Sequence, residues 1–168
     1  MRGLWILVVL SLISGCASAA SFGRLETGKI ISIEGMPAIC LPDDANEDFP
    51  VGWITLSESY GSASWGLVVR EGARPLVLAP GKCIRYGVEL DEYESPAYQA
   101  RVPILKLQVN RTYVFAINSA AQPRDSYRGV FCVSEDGDGS RRYLQYFRLS
   151  NGSEITPSCD EKEHERAH

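Results

Sequence analysis

His164 and His168 stand four residues apart, the spacing at which two imidazoles on one helical face can share a metal ion. They are the chain's only histidines, and both lie in a charged C-terminal tail that offers no rigid frame for a ligand or a general base. Glu135, Asp136 and Asp138 around Gly137 and Gly139 carry half the pattern of a calcium loop. Ser140-Arg141-Arg142 follows where the far bidentate glutamate belongs, so the segment reads as a hairpin turn. Paired carboxylates serve glycosidases when one of them is desolvated in a cleft. The groups Asp43, Asp44, Glu47, Asp48 and Glu89, Asp91, Glu92, Glu94 occupy polar stretches that suit solvated faces instead. No nucleophile elbow, phosphate-binding loop or dinucleotide fingerprint is present. These residues predict no catalytic group, no metal and no cofactor, and hence a protein that is not an enzyme.

Binding chemistry is better represented. Tyrosine buries area while keeping a polar handle, and the chain has eight of them. Tyr60 in the Glu58–Ser62 stretch, and Tyr93 and Tyr98 in the Asp91–Tyr98 stretch, are the expected exposed contacts. Their glycine, serine and acidic neighbours suit an adaptable protein interface.

The cysteines divide by context. Cys16 closes Ile13-Ser14-Gly15-Cys16 directly after the apolar run Leu4 to Ile13, with Arg2 ahead of it. That run is too short for an ordinary membrane-spanning helix but has the length of a signal-peptide core. An aliphatic residue, two small residues and a cysteine resemble a bacterial lipobox. The motif implies removal of residues 1–15 and lipidation of Cys16, whereas Ala17-Ser18-Ala19 offers the alternative of cleavage after Ala19 and plain secretion. Either address lies outside the cytoplasm. Of five cysteines, setting Cys16 aside leaves Cys40, Cys83, Cys132 and Cys159. An even set in an oxidising compartment, with no C-x-x-C pair, predicts two structural disulfides, and all three connectivities remain open.

The elements that must position these residues are short strands. Removing the signal leaves about 150 residues, enough for one domain with a full core. With 45% apolar and 23% charged residues the chain is globular rather than disordered. The net charge is -4 and no dense basic stripe exists, which excludes nucleic acid and favours a cationic protein partner. Residues 16–27 read as lipidated cysteine and flexible tether, 28–159 as the folded domain and 160–168 as a charged tail. Strands are predicted at Lys29–Ile33 and Ala38–Leu41, forming a hairpin around Gly35 and Pro37, then at Val51–Leu56, Trp65–Arg70, Arg74–Leu78 and Lys82–Tyr86. Leu105, Leu107 and Val109 alternate with Lys106 and Gln108, the cleanest strand signal in the chain, and Tyr113–Ile117 continues it. Tyr127–Ser134 and Arg142–Leu149 flank the Glu135–Ser140 turn. Asp91–Ala100 is a loop or edge strand, with helical turns expected only near Tyr93–Ala100 and at the C terminus. Such spacing predicts a single antiparallel β-sandwich, immunoglobulin-like, with a β-barrel as the alternative.

Several segments in order resemble the periplasmic immunity lipoproteins linked to type VI secretion. They are the lipobox, Pro37-Ala38-Ile39-Cys40-Leu41-Pro42, Pro80-Gly81-Lys82-Cys83-Ile84-Arg85-Tyr86-Gly87, the Tyr113–Ile117 strand, and Tyr127-Arg128-Gly129-Val130-Phe131-Cys132-Val133. Cys159 and the charged tail are not part of that pattern. The resemblance implies a lipid-anchored protein that binds a delivered effector toxin and neutralises it by occlusion. Ala17 stands where an aspartate would retain the chain at the inner membrane, which implies outer-membrane attachment facing the periplasm. A structural lipoprotein of an envelope secretion complex is the first alternative. A cell-wall or sugar-acting enzyme is the second.

Overall fold

Period-two alternation runs through most of the chain, and the computed structural model, which describes residues 23–148, 154–155 and 159, resolves it into β-structure. After β1 (Leu25–Thr27) comes a hairpin of β2 (Lys29–Ile33) and β3 (Met36–Cys40). Glu34 and Gly35 both take positive φ, 52° and 74°, the mirror-image turn whose twist matches a two-residue hairpin. Then follow β4 (Phe49–Glu58), β5 (Ser64–Val69), β6 (Leu76–Leu78), β7 (Cys83–Arg85) and β8 (Tyr93–Glu94). A 3-10 turn at Ala97–Arg101 leads on to β9 (Thr112–Ser119), β10 (Ser126–Glu135), β11 (Arg141–Gln145), β12 (Phe147–Arg148) and β13 (Glu154–Ile155).

These strands build a β-sandwich, not a closed barrel. The larger layer runs β1-β10-β9-β4-β5-β8, with β11 also beside β10 and β6 also beside β4. The smaller layer is β2-β3-β7, and β12 pairs with β13 apart from both. Ile54, Leu56, Phe115, Ile117 and Phe131 on the inner face of the large sheet bury themselves against Ile30, Ile39 and Ile84 of the small one. Phe131 sits between two aromatic rings, stacked on Tyr113 at 5.8 Å and edge-on to Tyr143 at 5.6 Å. At about 25 cal/mol per Å² of apolar surface removed from water, this contact is the main force joining the layers.

One corner between the layers is closed by side chains. Gln145 of β11 accepts a hydrogen bond from the Ile30 amide at 2.8 Å and donates one to the Gly28 carbonyl at 2.7 Å. Its amide thereby takes the place of a neighbouring strand for β2, which satisfies a buried polar side chain. Tyr143 adds a bond from its hydroxyl to the Gly35 carbonyl at 2.7 Å.

Both disulfides follow sequence order. Cys40–Cys83 joins directly opposed residues of β3 and β7, with Cα atoms 3.9 Å apart, and Cys132–Cys159 ties β10 to the tail. The hairpin from β10 to β11 forms around Asp136–Ser140 as the turn residues predict, with Gly139 at a φ of 81°.

Three expectations need correction. Ordered structure begins before Lys29: Leu25–Thr27, read as tether, pairs in parallel with Ser126–Arg128. The Leu105–Val109 segment forms no strand. Its alternation is real, since Leu105 and Leu107 are buried while Lys106 and Gln108 are exposed. Its backbone bonds go to tyrosine hydroxyls instead of a strand: Tyr86 donates to the Leu105 carbonyl at 2.9 Å, and Tyr113 accepts from the Gln108 amide at 2.8 Å. The Arg142–Leu149 run, finally, breaks at Tyr146, whose amide bonds back to the Val130 carbonyl. Residues 1–15, Cys16, and the tail 160–168 with His164 and His168 lie outside the described residues.

Candidate partner-binding surface

The sandwich has two distinct ends. The chain enters the described fold at Arg24, whose amide donates to Asp125 Oδ1 and whose carbonyl accepts from Ser126, each at 2.8 Å. Asp125 belongs to the connection between β9 and β10. The opposite end, across the eight residues of β9, or about 26 Å, carries the β4–β5 loop and the segment leading into β9.

Tyr60 occupies the tip of that far loop and is fully exposed, at 100%. The loop is held at its base. Glu58 donates its amide to Ala63, Gly61 to Glu58, and Ser59 to Thr112 across the neighbouring strand. Glu58 also pairs with Arg111 at 3.5 Å. Ile104 is 81% exposed and lies against β5 through an isolated parallel bridge to Ser64. Tyr60 and Ile104 are the two most exposed large apolar side chains among the described residues, and they stand on adjoining segments. Arg101, Lys106 and Arg111, all exposed, come from the same stretch of chain.

Tyr93 is not a surface contact. It is 4% exposed, its hydroxyl donates to the Val51 carbonyl and accepts from the Leu76 amide at 3.0 Å, and it thereby links β8 to β4 and β6. Burial raises its phenol above the ordinary value of 10.0, offset in part by the Leu76 bond. Tyr98 is half-buried, its ring centroid 6.0 Å from that of Trp53. Tyr86 packs edge-on to Trp65 at 5.2 Å.

The chemistry-bearing clusters of the sequence are dispersed or paired. Asp43 faces Lys29 at 3.7 Å, Glu47 faces Arg24 at 3.1 Å and Glu94 faces Arg70 at 3.9 Å, all on exposed side chains. Asp136 pairs with Arg142 at 2.9 Å, and the Ser140 side chain and then its amide, at 2.9 Å, hold the Asp138 carboxyl below the usual value. Both contacts belong to the hairpin turn. Among the described residues no three His, Cys, Asp or Glu side chains converge as metal ligands.

No family model, curated protein or solved structure matches this chain. Two grooves flank Phe147, one lined by Leu25, Glu26, Thr27, Arg128, Val130 and Tyr146, with Glu26 paired to Arg24 at 2.9 Å, the other by Lys29, Asp43, Asp44 and Gln145. Asp43 and Asp44 are both exposed, whereas a general acid would need to be desolvated.

The glycine- and serine-rich composition of its loop predicts an exposed Tyr60, and it is exposed. Composition does not point to Ile104, placed among residues that read as leading into a strand, nor to Trp53. The signal for Trp53 was Gly52, because a glycine inside a strand pattern marks a bulge.

Proposed function

We propose that this chain is a lipid-anchored periplasmic protein that binds a delivered effector toxin and neutralises it by occlusion, with Cys16 as the lipidated residue. The carrying observation is the position of Tyr60 and Ile104 at the end opposite the chain's entry. A domain tethered from before Arg24 presents that end away from its anchor. An exposed aromatic and an exposed aliphatic side chain, set on a framework that needs no rearrangement, supply the anchors from which interfaces draw most of their energy. Arg101 and Lys106 suit acidic groups on the toxin. Binding of this kind uses no general base. Tethering raises the inhibitor's local concentration at the envelope, where the toxin arrives.

The test is to express the protein encoded beside this gene in the periplasm with and without this chain. Growth arrest relieved by the chain is the expected outcome, and equal arrest in both strains rejects the function.

A further inference from the structure

Leu25, at 64% exposure, and Phe147, at 52%, line one groove of about 330 Å³ beside the point where the chain enters the described fold. Register brings its parts together. Leu25 lies beside Ser126 and Thr27 beside Arg128, so these positions share the face of the sheet opposite the buried Tyr127 ring. Val130, two residues beyond Arg128 on β10, falls on that face as well. The chain leaving β11 adds a further wall. Tyr146 donates its amide to the Val130 carbonyl at 2.8 Å, and its hydroxyl lies 3.1 Å from Thr112 Oγ1 of β9. Both bonds fix Tyr146 directly ahead of Phe147.

The charges lining the groove are Glu26 and Arg128. Glu26 meets Arg24 at 2.9 Å, and Arg24 also meets Glu47 at 3.1 Å. Arg128 is exposed and enters no ion pair among the described residues, so the uncompensated charge of this groove is positive. Beyond Phe147 the adjoining groove holds Lys29 with Asp43 at 3.7 Å, and an exposed Asp44. That acid would repel an anionic surface and leaves the Arg128 side of Phe147 as the side that suits one.

What this face meets follows from where the chain comes from. Eight residues separate Cys16 from Arg24, a reach of at most about 28 Å whatever path they take. Anchoring through Cys16 keeps the groove within that distance of a bilayer. Two exposed apolar side chains beside an unpaired cation match the boundary between acyl chains and lipid phosphates. So small a contact would not hold a free protein on a membrane, but a tether supplies the effective concentration that lets it persist. The same smallness disfavours a second copy of the chain, because a stable interface buries about 800 Å² on each partner. We propose that this groove is the membrane-seating face of the anchored domain, with Leu25 and Phe147 entering the interfacial layer and Arg128 meeting a lipid phosphate. The proposal rests on the Cys16 anchor of the function given above, and not on the toxin.

The test couples the chain from Cys16 onward, through that thiol, to a maleimide lipid in vesicles of phosphatidylethanolamine with a minority of phosphatidylglycerol. Phe147→Trp and Tyr60→Trp are compared for quenching by brominated acyl chains, after subtraction of the unaltered chain's signal. Quenching at position 147 should exceed that at position 60 by about twofold or more. Leu25→Asp should reduce the quenching at position 147 by about half or more, and Arg128→Glu by less. Leu25→Ser gives a milder version of the first change, and near-ultraviolet circular dichroism confirms that each variant is folded. Equal quenching at the two positions overturns the proposal, as does quenching at position 147 that Leu25→Asp leaves unaltered. It is also overturned if the uncoupled chain sediments as a dimer that Leu25→Asp dissolves, since a second copy then occupies the groove. Mass spectrometry of the chain purified from membranes reads the anchor separately. Cys16 without lipid overturns the anchor and the seating face together, whereas a lipidated Cys16 with no excess quenching at position 147 rejects the seating face alone.

Discussion

Tyr60 and Tyr93 sit in stretches of similar composition, each a tyrosine among acidic and small residues, yet one is fully exposed and the other is 4% exposed. The difference lies in what each hydroxyl meets. Tyr93 reaches an amide at Leu76 and a carbonyl at Val51, two backbone groups that the sheet leaves available where β6 and β4 meet. Tyr60 lies at a hairpin tip whose backbone bonds are closed among Glu58, Ala63 and Thr112. A tyrosine is drawn inward where unpaired backbone groups await its hydroxyl, and it stays outside where they are already satisfied.

The largest effect that contrast predicts is on stability at Tyr93. Tyr93→Ala removes a buried ring and leaves two backbone groups unpaired, and should cost about 3–5 kcal/mol in urea denaturation. Tyr93→Phe isolates the hydroxyl and should cost about 1–3 kcal/mol. A cost below a few tenths in both would erase the distinction between the two tyrosines.

Next in size is the Cys40–Cys83 bridge, which closes a span of 43 residues between the central strand β3 and the edge strand β7 of the smaller layer. Replacing both cysteines by alanine should lower stability by about 2–4 kcal/mol, measured against the oxidised chain.

A smaller effect separates the tyrosines by pH. Burial raises the phenols of Tyr93, Tyr113 and Tyr143 above 10.0 in the fold. The folded state therefore holds these protons more tightly than the unfolded chain. Their contribution is complete below the ordinary phenol value, and it falls as pH rises past 10.0 toward the folded values. Unfolding midpoints should be flat up to about pH 9 and drop by about pH 11, with Tyr93→Phe dropping less.

The smallest stability effect belongs to Tyr60. Tyr60→Ala should change unfolding by no more than about 0.5 kcal/mol, because nothing in the fold leans on the ring. Combined with Ile104→Asp it should abolish the proposed protection against a toxin. Retained protection would remove the far end from the interface even if the unaltered chain protects.

Much of the fold was legible. Strand-forming residues flank turn residues at Glu34-Gly35 and at Asp136–Ser140, and both hairpins form there because turn chemistry and alternation are local properties. Leu105–Val109 shows where that logic stops. Alternation records which side chains are buried, not whether the backbone has a neighbour, and here the neighbours are hydroxyls from Tyr86 and Tyr113. Trp53 shows a second limit. Counting by twos from Val51 puts Trp53 on the inner face, and the bulge at Gly52 reverses that. Nothing within Val51–Leu56 shows that the Ala120 backbone approaches Gly52 closely enough to exclude a side chain.

By itself the sequence determined a strand-rich sandwich, its turns and an even set of cysteines for the folded domain, since these depend on residue type and short spacing. Tertiary structure alone decided that Cys40 meets Cys83, that Tyr93 turns inward and that Trp53 turns outward. Each depends on a contact across a long stretch of chain, such as the 42 residues between Tyr93 and Val51, and the energy of such contacts exists only once the layers have closed.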